Sequence, residues 1–188
     1  MEVKIINEAG YTEALFGMSL SFYDGLVPLS TWWAKQARKA STIAPKLAHK
    51  DGGHNKFLEH IEVWIMVNAP LSWWKQADTY RMSTKLSTST MHTLKKRFPL
   101  GSEDFSKSTN ILIIDTYNSI CSEEKDINII ADNLPSGFLQ DRLWKVSYKT
   151  LRNIVHQRKN HRLKDWDDFI EQVLEQIEHP ELINKEEL

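Results

Sequence analysis

Between His60 and Ala77 the chain changes its period, and that change restricts the fold more than any other stretch. From His60 to Asn68 the side chains alternate, with Ile61, Val63, Ile65 and Val67 on one face and Glu62, Trp64 and Met66 on the other. That is the two-residue period of a half-buried strand. Ala69-Pro70 ends the run. Pro70 suits the first turn of a helix because its φ is fixed and it has no N–H to leave unpaired. Leu71, Trp73, Trp74 and Ala77 then turn inward, leaving Lys75, Gln76, Asp78, Tyr80 and Arg81 toward the helix's far end. Ser83 to Thr90 is too polar for core and too rich in hydroxyls for a good helix, so it reads as a polar loop.

The remaining chain fits around this segment. Val3 to Ile6 reads as a short strand and Glu13 to Leu20 as a helix packing Leu15, Phe16 and Met18. Pro28 to Ala48 reads as a helix with Trp32, Trp33, Gln36 and Ala40 at helical spacing and Lys35, Arg38 and Lys39 in solvent. Asp51-Gly52-Gly53 is a turn whose glycines allow positive φ, and it delivers His54 to an edge. Phe98 to Gly101 is a turn, and Ile111 to Ile120 reads as a helix, with a strand over Ile111 to Ile114 as the alternative. A helix is predicted over Asp141 to Gln157, with Lys145, Lys149, Arg152 and His156 as one cationic ridge. A second amphipathic helix follows over Trp166 to Glu178, ended by Pro180.

A length of 188 residues predicts a single domain over 1–188, and a hydrophobic share of 41% supplies a sizeable core. The formal net charge of −1 gives no global attraction to nucleic acid. Eight Lys/Arg residues between Arg142 and Lys164, with no acid among them, nevertheless make a local basic region. The one cysteine, Cys121, excludes an intrachain disulfide and fits a reducing compartment. With no apolar run long enough for a bilayer and no signal-peptide pattern at the start, the chain reads as cytoplasmic. In the pairs Trp32-Trp33 and Trp73-Trp74, one ring is expected inward and the other free for an interface or ligand, or both pairs fill core and subunit contacts. His49, His54, Glu59 and His60 do not have the spacing of a zinc site, and no metal is expected. No glycine-rich phosphate loop and no nucleophile elbow is present.

His54, Glu59-His60, Ala69-Pro70, Gln76, Thr79-Tyr80-Arg81 and Ser89-Thr90-Met91-His92 stand in one ungapped series. In that series the chain resembles the flavin-dependent thymidylate synthases, also called thymidylate-synthase-complementing proteins. Members carry a His followed by Glu-His, an Ala-Pro, a helix with Gln near its end, an Arg-His-Arg triplet and Ser-x-Arg-Tyr. The likeness resumes at Leu134-Pro135 and Trp144 and covers most of the chain outside Leu94 to Asn133, where the family has a helical insert. It implies an α+β fold, a central, mostly antiparallel sheet with helices packed around it.

The resemblance also implies roles. Ser21, His54, Tyr80, Arg81 and Ser87 are the cofactor-binding candidates, with FAD as the cofactor. Gln76, Ser89, Lys149 and Arg152 are the substrate-binding candidates, and Ser89 and Arg81 the catalytic ones. A methylene group comes from methylenetetrahydrofolate, the substrate is a pyrimidine nucleotide, and the site is assembled between subunits of a homotetramer with Trp33, Trp64 or Trp73 as candidate contacts. The chain departs from the family's pattern at Thr79 and Tyr80, which replace an arginine and a histidine, and at Met91, where a thioether replaces a phosphate-binding guanidinium. Lys149 stands where a second clamp arginine is found, offering a point charge instead of a fork. Three readings follow: a divergent C5 one-carbon transferase methylating or hydroxymethylating a deoxypyrimidine monophosphate; a catalytically inactive nucleotide-binding sponge or regulator; and a nucleic-acid-binding protein using Arg142 to Lys164.

Overall fold

The computed structural model describes residues 1–22, 28–124 and 126–185. Four strands, β1 (Glu2–Ala9), β2 (Glu62–Pro70), β3 (Ser83–Ser87) and β4 (Leu139–Ser147), form one antiparallel sheet in the order β1-β2-β4-β3. Helices α1 (Tyr11–Ser19), α2 (Leu29–Ala48), α3 (Leu71–Ala77), α4 (Thr90–Arg97), α5 (Ile111–Cys121), α6 (Ile127–Asp132), α7 (Tyr148–Arg158) and α8 (Asp165–Gln176) complete an α+β fold. No helix among the described residues is long and apolar enough to cross a membrane.

The chain divides into two compact units. The first holds Met1–Val3, Met66–Arg81 and Lys85–Trp144. Its core joins Leu94 of α4, Ile114, Tyr117 and Cys121 of α5 and Ile130 of α6 to Leu100, Phe105 and Phe138. Trp73, Trp74 and Trp144 meet edge to face beside it, with centroids 4.9 to 6.2 Å apart. Aromatic rings favour that arrangement because the positive edge of one meets the negative face of another.

The second unit holds Lys4–Ile65, Met82–Thr84 and the chain from Lys145 onward. Here α1 packs on α2 and on the 3₁₀ turn Lys56–His60, and α7 packs on that turn and on α8. Trp32 fills this core with its ring edge against Phe16, while its neighbour Trp33 is 49% exposed. The first tryptophan pair thus divides as the sequence predicts. The second follows the other expectation and fills core: Trp73 and Trp74 are both within 1% of complete burial, so Trp73 is no subunit contact.

Two segments differ from their sequence reading. Ser83–Ser87 is a strand, β3, rather than loop. It lies at the sheet edge, where one neighbour suffices and polar side chains keep the free edge in water. Leu139–Ser147 is a strand rather than the first half of a helix. On β4 the even positions Gln140, Trp144 and Val146 are buried, but Gln140 and half-buried Arg142 interrupt the apolar series, so the alternation is invisible to hydropathy.

Candidate functional site

In the first unit the candidates gather after the end of α3. The helix starts where it does because the N–H groups of Leu71 and Ser72 donate to the carbonyls of Phe138 and Ser136, at 3.0 and 2.9 Å, satisfying donors a helix start leaves open. It buries Trp73, Trp74 and Ala77 and leaves Gln76 half-buried. At its end the hydroxyl of Thr79 donates back to the Gln76 carbonyl at 2.7 Å. Tyr80 is half-buried, and Arg81, Ser87 and Ser89 are exposed. Ser89 caps α4, its Oγ accepting from the His92 N–H at 3.4 Å. Accepting that bond leaves its own hydroxyl hydrogen able to donate.

A polar network beside these residues was not legible as a unit. Arg142 Nη1 lies 3.1 Å from both carboxylate oxygens of Asp78, its Nε donates to Gln140 Oε1 at 2.9 Å, and its guanidinium sits 4.5 Å over the Trp74 ring. Lys85 Nζ is 3.7 Å from the same carboxylate and 4.6 Å over Trp144. Burial pushes the Lys85 amine below its usual range, and Asp78 draws it back up. Gln140 donates to the Thr88 carbonyl at 2.9 Å, and Trp74 Nε1 donates to the Gln140 carbonyl at 3.0 Å. These bonds tie the residues just after α3 to the centre of β4, so the Gln76–Arg81 segment starts from a fixed base.

In the second unit Ser21 is exposed in the 3₁₀ turn Leu20–Phe22. His54 is exposed and follows Gly52 and Gly53, whose φ of 76° and 92° lie in the region that favours glycine. Helix α7 begins with Ser147, whose Oγ accepts from the Thr150 N–H at 3.3 Å, and with the Tyr148 N–H donating to the Ile61 carbonyl at 2.9 Å. It carries half-buried Lys149 and buried Arg152. Lys149 Nζ donates to the side-chain oxygen of Asn55, a buried residue that no sequence signal marks out.

The cationic ridge is shorter than its spacing predicts. Lys145 belongs to β4, where it pairs with Glu62 at 3.2 Å and lies 5.7 Å over the Trp64 ring. Lys149, Arg152 and His156 remain on α7. The structure thus groups Gln76, Tyr80, Arg81, Ser87 and Ser89 in one unit and Ser21, His54, Lys149 and Arg152 in the other. Among the described residues no three His, Cys, Asp or Glu side chains are arranged to hold a metal ion.

No protein-family model and no curated protein sequence matches the chain. Solved structures do. Two crystal structures of the flavin-dependent thymidylate synthase ThyX from Helicobacter pylori, both with FAD and dUMP, superpose with a TM-score of 0.81 at 14% identity. The match covers 98% of this chain and 98% of one neighbour, 99% of the other. The chain therefore has the flavin-dependent thymidylate synthase fold.

Proposed function

We propose that this protein is a divergent pyrimidine nucleotide C5 one-carbon transferase, acting on a deoxypyrimidine monophosphate with FAD and with methylenetetrahydrofolate as the carbon source. The observation that carries the reading is the end-to-end likeness to two crystal structures of one enzyme that holds FAD and dUMP. Gln76 offers both a donor and an acceptor to a pyrimidine edge. Lys149 and Arg152 supply positive charge to the nucleotide phosphate. Ser89, with a hydroxyl hydrogen to give, and Arg81, with an exposed guanidinium, are the groups assigned to the reacting ring.

The residues available fit FAD in kind. Arg81 is a cation for its phosphates or ring, exposed Ser21 and Ser87 are hydroxyl donors, and His54 and Tyr80 offer ring faces. When bound, the flavin supplies the hydride that completes a methyl group. This chain's own work is to hold the nucleotide, orient its C5 and exclude water. The reading includes a homotetramer in which subunits share sites, and one working domain over 1–188.

Purified protein with flavin absorption bands that turns over dUMP or dCMP with methylenetetrahydrofolate supports the reading. Colourless protein with no turnover of either rejects it. One observation favours the second reading, a nucleotide-binding sponge or regulator. The Thr79 hydroxyl is bonded to its own helix, so Arg81 is the one charged group in its triplet. Calorimetry against mono- and cyclic nucleotides separates the two, because a sponge binds without turnover. The nucleic-acid reading ranks third, since Arg142, Lys145 and Lys164 are paired with Asp78, Glu62 and Asp167 and Arg152 is buried; affinity for DNA or RNA without a steep salt dependence would remove it.

A further inference from the structure

Helix α2 has 20 residues and α1 has 9, roughly 30 Å against 14 Å, so α1 cannot cover the whole of its neighbour. Where α1 ends, a groove of about 410 Å³ opens within the second unit. Its walls are apolar, with Met18 and Phe22 from α1 and the turn after it, and Ala40, Ile43 and Leu47 from α2. Phe22 is 89% exposed and Ile43 36%, so these walls keep apolar surface in water that a bound molecule would cover.

The polar groups of the groove are few and stand together. Gln36 and Lys39 lie about one turn apart on α2, and neither makes an ion pair or side-chain hydrogen bond with a described residue. Ser19 is already engaged, its hydroxyl donating to the Phe16 carbonyl at 2.7 Å. From Leu29 to Ala48 the helix carries Lys35, Arg38, Lys39 and Lys46 and no acid, so the charge on this wall has one sign. A free amine and a free amide at one end of an apolar groove suit a ligand with an anionic head and an apolar body. Gln36 and Leu47 are about three turns or 16 Å of helix apart. A body that follows them is a chain, not a ring.

The geometry points to an acyl-carboxylate site: the groove takes a free medium-chain fatty acid, with its carboxylate on Lys39 and Gln36 and its chain running past Phe22 and Ile43 toward Leu47. None of the residues assigned to nucleotide or flavin is among the described residues that line it, so the site stands apart from the nucleotide reading.

The test titrates the full chain by calorimetry with dodecanoate below its micelle concentration, with octanoate, and with dodecyltrimethylammonium, which has the same tail and the opposite charge. Dodecanoate is expected to bind, and octanoate to bind more weakly by up to about fourfold for each methylene removed. Dodecyltrimethylammonium is expected to bind about tenfold more weakly than dodecanoate. Lys39→Met keeps an unbranched apolar side chain and removes the charge. It weakens dodecanoate up to about fivefold and leaves dodecyltrimethylammonium no weaker. Ile43→Glu removes a wall and adds a like charge, weakening dodecanoate by at least about tenfold. Both changes fall at exposed positions, where the fold tolerates them.

No dodecanoate binding by the native chain, an affinity independent of chain length, or one unchanged by both Lys39→Met and Ile43→Glu overturns the site. Dodecyltrimethylammonium binding as tightly as dodecanoate overturns it too, because the amine then selects nothing. Displacement of dodecanoate by FAD overturns it and gives the groove to the flavin. Loss of a multimer in light scattering as dodecanoate saturates overturns it and gives the groove to a second copy of the chain. Sedimentation with phosphatidylglycerol vesicles that dodecanoate competes away overturns it in favour of a membrane surface.

Discussion

The hydroxyl of Tyr148 joins three parts of the second unit. It donates to the Glu8 carboxylate on β1 and accepts from the His179 N–H, at 3.2 Å, in the segment after α8. Burial first, and then Glu8, push this phenol far above the usual tyrosine range, so it stays protonated and keeps donating. Tyr148→Phe leaves a carboxylate oxygen and a backbone N–H short of a partner. The expected cost is about 1–3 kcal/mol, read as a lower urea midpoint at unchanged slope, and an unchanged midpoint contradicts it. His156 gives a pH prediction of definite sign. Its folded pKa lies below the usual 6.5, so between that lower value and 6.5 the unfolded chain binds more protons. The stability contributed by the neutral imidazole is present above about 6.5 and is lost as pH falls toward the folded value. His156→Gln is expected to flatten the decline in unfolding free energy between neutral and mildly acid pH, and an equally steep decline in the variant refutes the assignment.

At the scale of elements, the entry to α1 is the most demanding turn. Gly10 has φ 93°, and a Cβ there would lie 2.0 Å from the His60 carbonyl oxygen. Gly10→Ala thus combines left-handed strain with a backbone collision and is expected to cost at least about 2 kcal/mol, measured as a fall in melting temperature; an unshifted melt would contradict the close approach. The elements that could be read from sequence are those whose side chains carry one period cleanly. On β2, Ile61, Val63, Ile65 and Val67 form one apolar face, and α2, α5 and α8 have plain helical stripes. β3 and β4 could not be read in this way, for opposite reasons. β3 has almost no apolar residues because it is an edge, and β4 spends inward positions on Gln140 and Arg142, whose burial is tolerable only with the partners Thr88 and Asp78. A hydrogen-bonded core position looks like surface to any hydropathy pattern. The same limit applies to the site: Gln76, Ser89 and Lys149 were singled out through the family resemblance, whereas the Asp78–Arg142–Lys85 cluster and Asn55 are visible only once the chain is folded.

For the whole molecule, the second unit has an apolar groove of about 410 Å³ lined by Met18, Phe22, Ile43 and Leu47 among others, and Phe22 beside it is 89% exposed. With Trp33 half-exposed as well, the proposed homotetramer is expected to appear in light scattering at micromolar concentration; a monomer there excludes a site shared between subunits. The strand order carries a last consequence, for how the polypeptide is made. β4 lies between β2 and β3 yet is the last strand in the sequence, at Leu139–Ser147. While the ribosome is still translating α4 to α6, β2 and β3 have no common neighbour, and the sheet waits open in the middle. Its completion belongs to the closing stages of synthesis, and a nascent chain released before residue 139 would expose two unsatisfied strand edges instead of one sheet.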